Sequence, residues 1–145
     1  MLIGRQPSWP PERLSAASAG ALFERPLSGS VAIEIKRIYD PAEPTDGYRV
    51  LIDRVWPRGV SRDRAKLDEW ARDLAPSDEL RRWFGHDPER FDEFRARYRD
   101  ELKPQRKKLD ELRRRAGQGT VTILYGARDR KHNNAVVLAE LLRRD

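Results

Sequence analysis

The stretch Thr-Val-Thr-Ile-Leu-Tyr-Gly-Ala-Arg-Asp-Arg-Lys-His-Asn-Asn-Ala, residues 120–135, decides how this chain folds. Its first six residues are a short apolar run that breaks at Gly126, which reads as a buried strand. A charged loop follows, and an apolar-rich run begins directly after Asn133 and Asn134, either of which is a good helix cap. Strand, loop and helix make one βα unit, and α/β proteins bind ligands just beyond the carboxyl ends of such strands. A helix start offers free backbone N–H groups and a positive dipole end, and Arg128, Arg130 and Lys131 stand beside it. The unit therefore points to a site for an anion.

Upstream, residues 31–39 are β-branched, with Ile33 and Ile35 alternating with charges, which predicts a strand. Pro41, Pro44, Asp46 and Gly47 supply turn chemistry. Residues 48–55 then read as a second strand with a Val50-Leu51-Ile52 centre, ended by Pro57 and Gly59. Leu67, Trp70, Ala71 and Leu74 fall at i, i+3, i+4 and i+7, which favours a helix ending before Pro76, with a short strand as the other possibility. Ser77 is the expected N-cap of a helix over residues 78–84, closed by Gly85, and Asp87-Pro88 starts another. Phe91, Phe94, Tyr98 and Leu102 form one apolar stripe, and Pro104 kinks or restarts a helix that continues to about Ala116. The order is β–β, helices, β, helix. It predicts an α/β fold: a small, mainly parallel sheet flanked by helices with right-handed crossovers, in a single domain over residues 30–145. Residues 1–29, rich in Pro, Ser and Gly, read as a flexible N-terminal extension.

At 145 residues the chain is long enough for one domain with a real core. Lys and Arg total 30 against 24 acidic residues, giving a net charge of +6 that invites a nucleic-acid partner. Acids and bases alternate through residues 62–115, however, and interspersed signs usually mark solvated helix faces laced with i,i+4 pairs. The absence of cysteine excludes disulfides, thiol nucleophiles and thiolate metal sites, and fits a cytoplasmic location. No apolar stretch approaches the ~20 residues of a membrane span, and residues 16–23 are too short and too polar-flanked for a signal segment. No membrane partner is expected.

Two clusters carry the candidate chemistry. Asp53, Arg54 and Arg58 lie at the carboxyl end of the predicted second strand and in the loop after it. A parallel sheet sets that end beside the end of residues 120–125. One crevice would then gather Arg54, Arg58, Arg128, Lys131, His132, Asn133 and Asn134. Arginine forks suit bidentate contact with phosphate or carboxylate. The plainer alternative is that Asp53 pairs with an arginine and Trp56 packs under the sheet. The second cluster is His132 with Asp129, three residues upstream, an arrangement that orients an imidazole for acid–base work. Alternatively, His132 and the Asn pair only cap the helix. His86 reads as a helix-junction residue, and the aromatic residues from Trp70 to Tyr98 as core rather than a base-stacking surface. Two distant histidines give no recognisable metal site, and no nucleophile elbow, phosphate loop or dinucleotide turn is present, so no cofactor is implied.

The ordered set Ile-Lys-Arg-Ile-Tyr (35–39), Asp-Gly-Tyr-Arg-Val-Leu-Ile-Asp-Arg-Val-Trp-Pro-Arg-Gly (46–59), Leu-Asp-Glu-Trp (67–70), Leu-Ala-Pro-Ser (74–77), Leu-Arg-Arg-Trp-Phe (80–84) and residues 125–138 with their His-Asn-Asn resembles the bacterial family called domain of unknown function 488. The resemblance spans about residues 31–144 and implies a compact α/β domain without an assigned reaction. Other branches of that family carry cysteine around the last βα turn; here Tyr125 and His132-Asn133-Asn134 stand there instead, so His132 is the reactive side chain that would keep a related role. The expectation is a cytosolic protein whose crevice takes a small anion such as phosphate or a nucleotide. Catalysis would fall to His132 with Asp53 or Asp129, and binding to Arg54, Arg58, Arg128, Lys131, Asn133 and Asn134. The alternative is a nucleic-acid-binding module using the basic surface, residues 106–115 above all.

Overall fold

Val121–Tyr125 is buried at every position and pairs in parallel with a strand on either side. A computed structural model describes residues 31–144. Its strands are β1 (Ile33–Arg37), β2 (Tyr48–Leu51), β3 (Glu69–Trp70) and β4 (Val121–Tyr125), and they form one four-stranded sheet in the order β1-β4-β2-β3. Every pair is parallel, with Ile35 opposite Ile123 and Val50 opposite Ile123 across the two central ladders. The helices are α1 (Arg62–Ala65), α2 (Asp78–Phe84), α3 (Phe91–Leu102), α4 (Arg106–Gln118) and α5 (Asn134–Arg143). The expected single α/β domain with a parallel sheet is what forms. The expected extension over residues 1–29 lies outside the described residues.

Side chains of a strand alternate between faces, and both faces of the central strand β4 are covered, which is why it is buried at every position. Ile33, Val50, Ile52, Val121, Ile123 and Tyr125 join the larger core cluster with α2, α3, α4 and α5. Leu51 and Leu124 look the other way, into a smaller cluster with Ile38, Val60 and Ala65, walled by Trp56, Leu67 and Trp70. Lower on that second face Asp46 and Arg49 form a buried ion pair, and Thr122 Oγ1 donates to the Asp46 carbonyl at 2.7 Å.

The caps fall as the sequence predicts. Ser77 Oγ accepts from the Leu80 amide and Gly85 closes α2 in the left-handed region (φ 53°). Asp87 starts a 3-10 turn over Pro88–Arg90 that runs into α3, and Pro104 sits in a second 3-10 turn between α3 and α4. Asn133 is the cap of α5, its side chain accepting from the Val136 amide.

The helix favoured over residues 67–74 does not form. Glu69–Trp70 is a short edge strand on β2, and a 3-10 turn, Arg72–Leu74, follows. The apparent helical stripe serves two faces: Leu67 and Trp70 pack on the smaller cluster, Ala71 and Leu74 in the larger. The open edge of β2 then decides the backbone, with the Ala71 amide donating to the Leu51 carbonyl at 2.8 Å and the Asp68 amide to the Arg49 carbonyl at 2.9 Å. Sheet pairing outweighs a local period of 3.6 when the apolar residues do not share a face. β2 is also shorter than predicted: after the Ile52 amide donates to the Leu124 carbonyl at 3.2 Å, the chain leaves the sheet at Asp53. Among the described residues no helix is long and apolar enough to cross a membrane.

Candidate functional site

Because β2 and β4 are parallel neighbours, their carboxyl ends emerge side by side, Asp53 from one and Gly126 from the other. Asp53 fills the gap between them. Its Oδ2 accepts from the Gly126 amide at 2.9 Å, and its Oδ1 accepts from Asn134 Nδ2 at 3.1 Å. The same Asn134 nitrogen also donates to the Ile52 carbonyl at 3.0 Å, so the first residue of α5 is tied to the end of β2. Burial pushes the Asp53 carboxyl above its ordinary range, against the hydrogen bonds from Asn134 and Gly126 and the charges of Arg81 and His86.

A cavity of about 530 Å³ opens over this carboxylate. Asp53, Arg54, Arg58, Asn133 and Asn134 line it, as do Gly126, Arg81, His86 and Tyr39, with Trp56, Pro57, Pro76 and Phe84 giving apolar wall. Such a volume suits a small-molecule site. The rim is cationic and loosely held. Arg54 reaches the Pro76 carbonyl at 3.4 Å and Asp78 at only 4.0 Å; Arg81 bonds Asp78 at 3.1 Å. The Arg58 guanidinium has no partner among the described residues, while its own carbonyl accepts from Tyr39 Oη at 2.8 Å, which fixes the loop.

Of the residues singled out in the sequence, then, five share this cavity. Arg128, Asp129, Lys131 and His132 do not line it. Arg128 and Lys131 are exposed on the loop before α5. Asp129 organises that loop: its Oδ1 accepts from the Lys131 amide at 2.8 Å and the His132 amide at 3.0 Å, and its Oδ2 lies 2.9 Å from His132 Nδ1. The Lys131 amide bond, followed by that from the His132 ring, holds the Asp129 carboxyl below its ordinary range. The imidazole meets Phe91 of α3 edge-on, ring centres 5.2 Å apart. Asn133 bridges the turn, donating to the Asp129 carbonyl at 2.8 Å.

No local sequence pattern marks Arg81, Tyr39 or Arg37 as part of a site, and His86, which reads as a helix-junction residue, also lines the cavity. Arg81 sat inside the alternating charges that read as a solvated face, and only the packing of α2 beside the strand ends brings it to the cavity. His86 follows Gly85 with φ 58°, one of two non-glycine residues with positive φ among the described residues. Arg37, on the far side of β4, donates from Nε to the Ala127 carbonyl at 2.8 Å and so steadies the outgoing loop. The loop is also anchored by Arg130, whose two bonds to Asp40 measure 2.9 and 3.0 Å.

The basic run at residues 106–115 is partly engaged within the fold. Lys108 pairs with Glu69, Arg113 donates to the Leu141 carbonyl and to Asp110, and Arg115 lies over the Tyr48 ring.

Comparison with known proteins places the chain in a family. The curated relatives include the uncharacterised protein Rv3073c of Mycobacterium tuberculosis, 44% identical over 110 residues that cover 76% of this chain and 92% of the relative. The uncharacterised protein YeaO of Escherichia coli is 42% identical over 111 residues, 77% of this chain and 96% of the relative. No solved structure matches the chain. The family model described as the inactive DUF488-N3 subclade matches residues 32–145. Nearly the whole described domain is covered, and the chain belongs to the domain of unknown function 488 family, within that subclade.

Proposed function

We propose that this protein binds a small anionic ligand, a phosphate-bearing compound such as a nucleotide, in the cavity at the carboxyl ends of β2 and β4, and that it does so as a binding protein rather than as an acid–base enzyme. The observation that carries the reading is the placing of Arg54, Arg58 and Arg81 around one cavity, with no carboxylate within 3 Å of Arg54 and none at all on Arg58 among the described residues. Guanidinium groups held loosely on a concave surface are available to an incoming phosphate or carboxylate. Two observations favour binding over catalysis. His132, the side chain best suited to proton transfer, is spent on Asp129 and Phe91 away from the cavity. The subclade itself is described as inactive.

Titration calorimetry of the wild type against inorganic phosphate and a panel of nucleoside mono- and diphosphates tests this. Binding is expected, and Arg54→Ala and Arg58→Ala are each expected to weaken it by about tenfold or more, the worth of a charge-assisted hydrogen bond. Absence of any heat or thermal shift with every member of the panel refutes the reading.

A further inference from the structure

The floor of the cavity is chemically unlike its rim. The Asp53 carboxylate has room for about four hydrogen bonds, and two are made, one on each oxygen, from Gly126 and Asn134. Both donors belong to the ends of the sheet and the start of α5. No other donor among the described residues bonds to the carboxylate, and the remaining acceptor positions belong to a group that lines the cavity. Arg81 and His86 lie close enough to act on it by charge, yet neither forms a hydrogen bond to it. A half-buried carboxylate whose hydrogen-bonding capacity is only half met favours a ligand that brings donors of its own. Two oxygens side by side match a pair of adjacent N–H groups in the same fork geometry that makes arginine a good carboxylate partner.

The walls between floor and rim are apolar, from Trp56, Pro57, Pro76 and Phe84. They ask for ring surface rather than for further polar groups. The rim supplies cations at Arg54, Arg58 and Arg81. A single ligand meets all three demands if it has a planar ring edge with two neighbouring N–H donors, and a phosphate at its other end. We infer that the cavity takes a nucleotide whose base presents paired N–H donors to Asp53, which among the common bases means guanine. Guanine offers N1–H together with its exocyclic amine on that edge; hypoxanthine keeps only N1–H; adenine keeps its exocyclic amine but turns its N1 acceptor toward the second carboxylate oxygen.

The inference rests on the anion-binding reading, and the experiment separates the two. Calorimetry is run on the wild-type protein with inorganic phosphate, guanosine, GMP, IMP and AMP. GMP is expected to bind about tenfold or more tightly than AMP, with IMP between them, because adenine N1 would leave one half-buried carboxylate oxygen facing an acceptor. GMP is also expected to exceed guanosine, which lacks the phosphate. Equal affinity for GMP, IMP and AMP overturns the role given to Asp53 while leaving the anion site standing. No binding by any of the five, phosphate included, overturns both. Asp53→Asn supplies a second arm: it should abolish the preference for GMP over AMP without weakening phosphate, and a variant that keeps the preference overturns the inference. If Asp53→Asn fails to fold, the ligand series on the wild type decides alone.

Discussion

Asp53 and Gly126 stand 73 residues apart in the chain, and the amide of one donates to the carboxylate of the other at 2.9 Å. The contact depends on the missing side chain. A Cβ at position 126 would lie 2.9 Å from the same Oδ2, closer than such atoms approach, so the carboxylate would have to turn away. It has little freedom to turn, because Asn134 holds its other oxygen. Gly126→Ala is therefore expected to cost about 1–2 kcal/mol in urea unfolding, the worth of a half-buried hydrogen bond to a carboxylate. It should weaken ligand binding as well. A fully stable, fully binding variant would mean that the strand ends are not clamped through Asp53.

Asn134 makes a related prediction with a pH signature. Replacing it by Asp, which is nearly the same shape, removes the donor that serves both Ile52 and Asp53 and puts a second carboxylate against the first. Two adjoining carboxylates cannot both ionise cheaply, so one retains a proton to a higher pH than it would in the unfolded chain. A group whose folded pKa is raised costs the fold stability above that pKa, and the cost fades as pH falls through it. Burial already pushes Asp53 in that direction. Asn134→Asp should thus be destabilised by about 2–3 kcal/mol near neutrality, counting the lost bonds and the repulsion together. The gap in unfolding midpoint should narrow from pH 7.5 down to pH 4.5 as the repulsion is relieved, leaving the part due to the lost bonds; a constant gap would show that the two carboxylates do not interact.

The clamp explains which parts of this molecule were legible in the sequence. The βα unit at residues 120–143 could be recognised because each step is local: β-branched residues, a glycine break, an Asn cap and an apolar helix. The neighbouring strand end could be paired with it because a parallel sheet aligns carboxyl ends. What local patterns do not carry is which way a loop side chain turns. Arg128 and Lys131 look equivalent to Arg54 and Arg58 in composition, yet the Asp129 turn leaves the first two exposed outside the cavity. Arg81 is the converse case. Its i,i+3 partner Asp78 marks it as a surface pair, and its place at the cavity follows only from how α2 packs beside the strand ends. The helical spacing at residues 67–74 misleads for the same reason, and the short strand that is its alternative forms instead, since sheet pairing is a relationship with residues far away in the chain.

The polar cluster low on the second face of the sheet offers a test independent of any ligand. Asp46 accepts from Lys36 Nζ at 3.0 and 3.1 Å, from Arg49 Nη1 at 2.6 Å and from the Glu43 amide at 3.0 Å. Burial works to raise its carboxyl, but the Glu43 amide, Lys36 and Arg49 outweigh it and hold the group below its ordinary range. A depressed folded pKa stabilises the fold above the ordinary carboxylate range, and that contribution is lost as pH falls through it. Asp46→Asn leaves the Arg49 charge buried, with the Ala65 and Lys66 carbonyls as its remaining acceptors. It should cost about 3 kcal/mol near pH 7, as when one partner of a buried pair is removed. The gap from wild type should narrow as pH falls below the ordinary carboxylate range and Asp46 itself takes up a proton. A gap that is as wide in acid would place the loss in packing rather than in the charge.

His132 separates a structural reading of the last βα turn from a catalytic one. Its ring contacts are with Asp129 at 2.9 Å and edge-on with Phe91, and both belong to the turn and to α3 rather than to the cavity. His132→Ala removes a half-buried hydrogen bond to Asp129 and one face of an aromatic contact, so unfolding should become easier by about 1 kcal/mol. Ligand affinity should change less than about twofold, since no cavity-lining group bonds to the ring. Asn133 is the informative neighbour, because it does line the cavity while its Oδ1 caps α5 through the Val136 amide at 2.9 Å. Asn133→Ala should lower stability by about 1–2 kcal/mol, the usual worth of such a cap. It should also lower affinity, because the start of α5 carries Asn134 into the clamp on Asp53. If instead His132→Ala abolishes binding while Asn133→Ala spares it, the ligand sits on the Asp129 turn and the cavity over Asp53 is not its site.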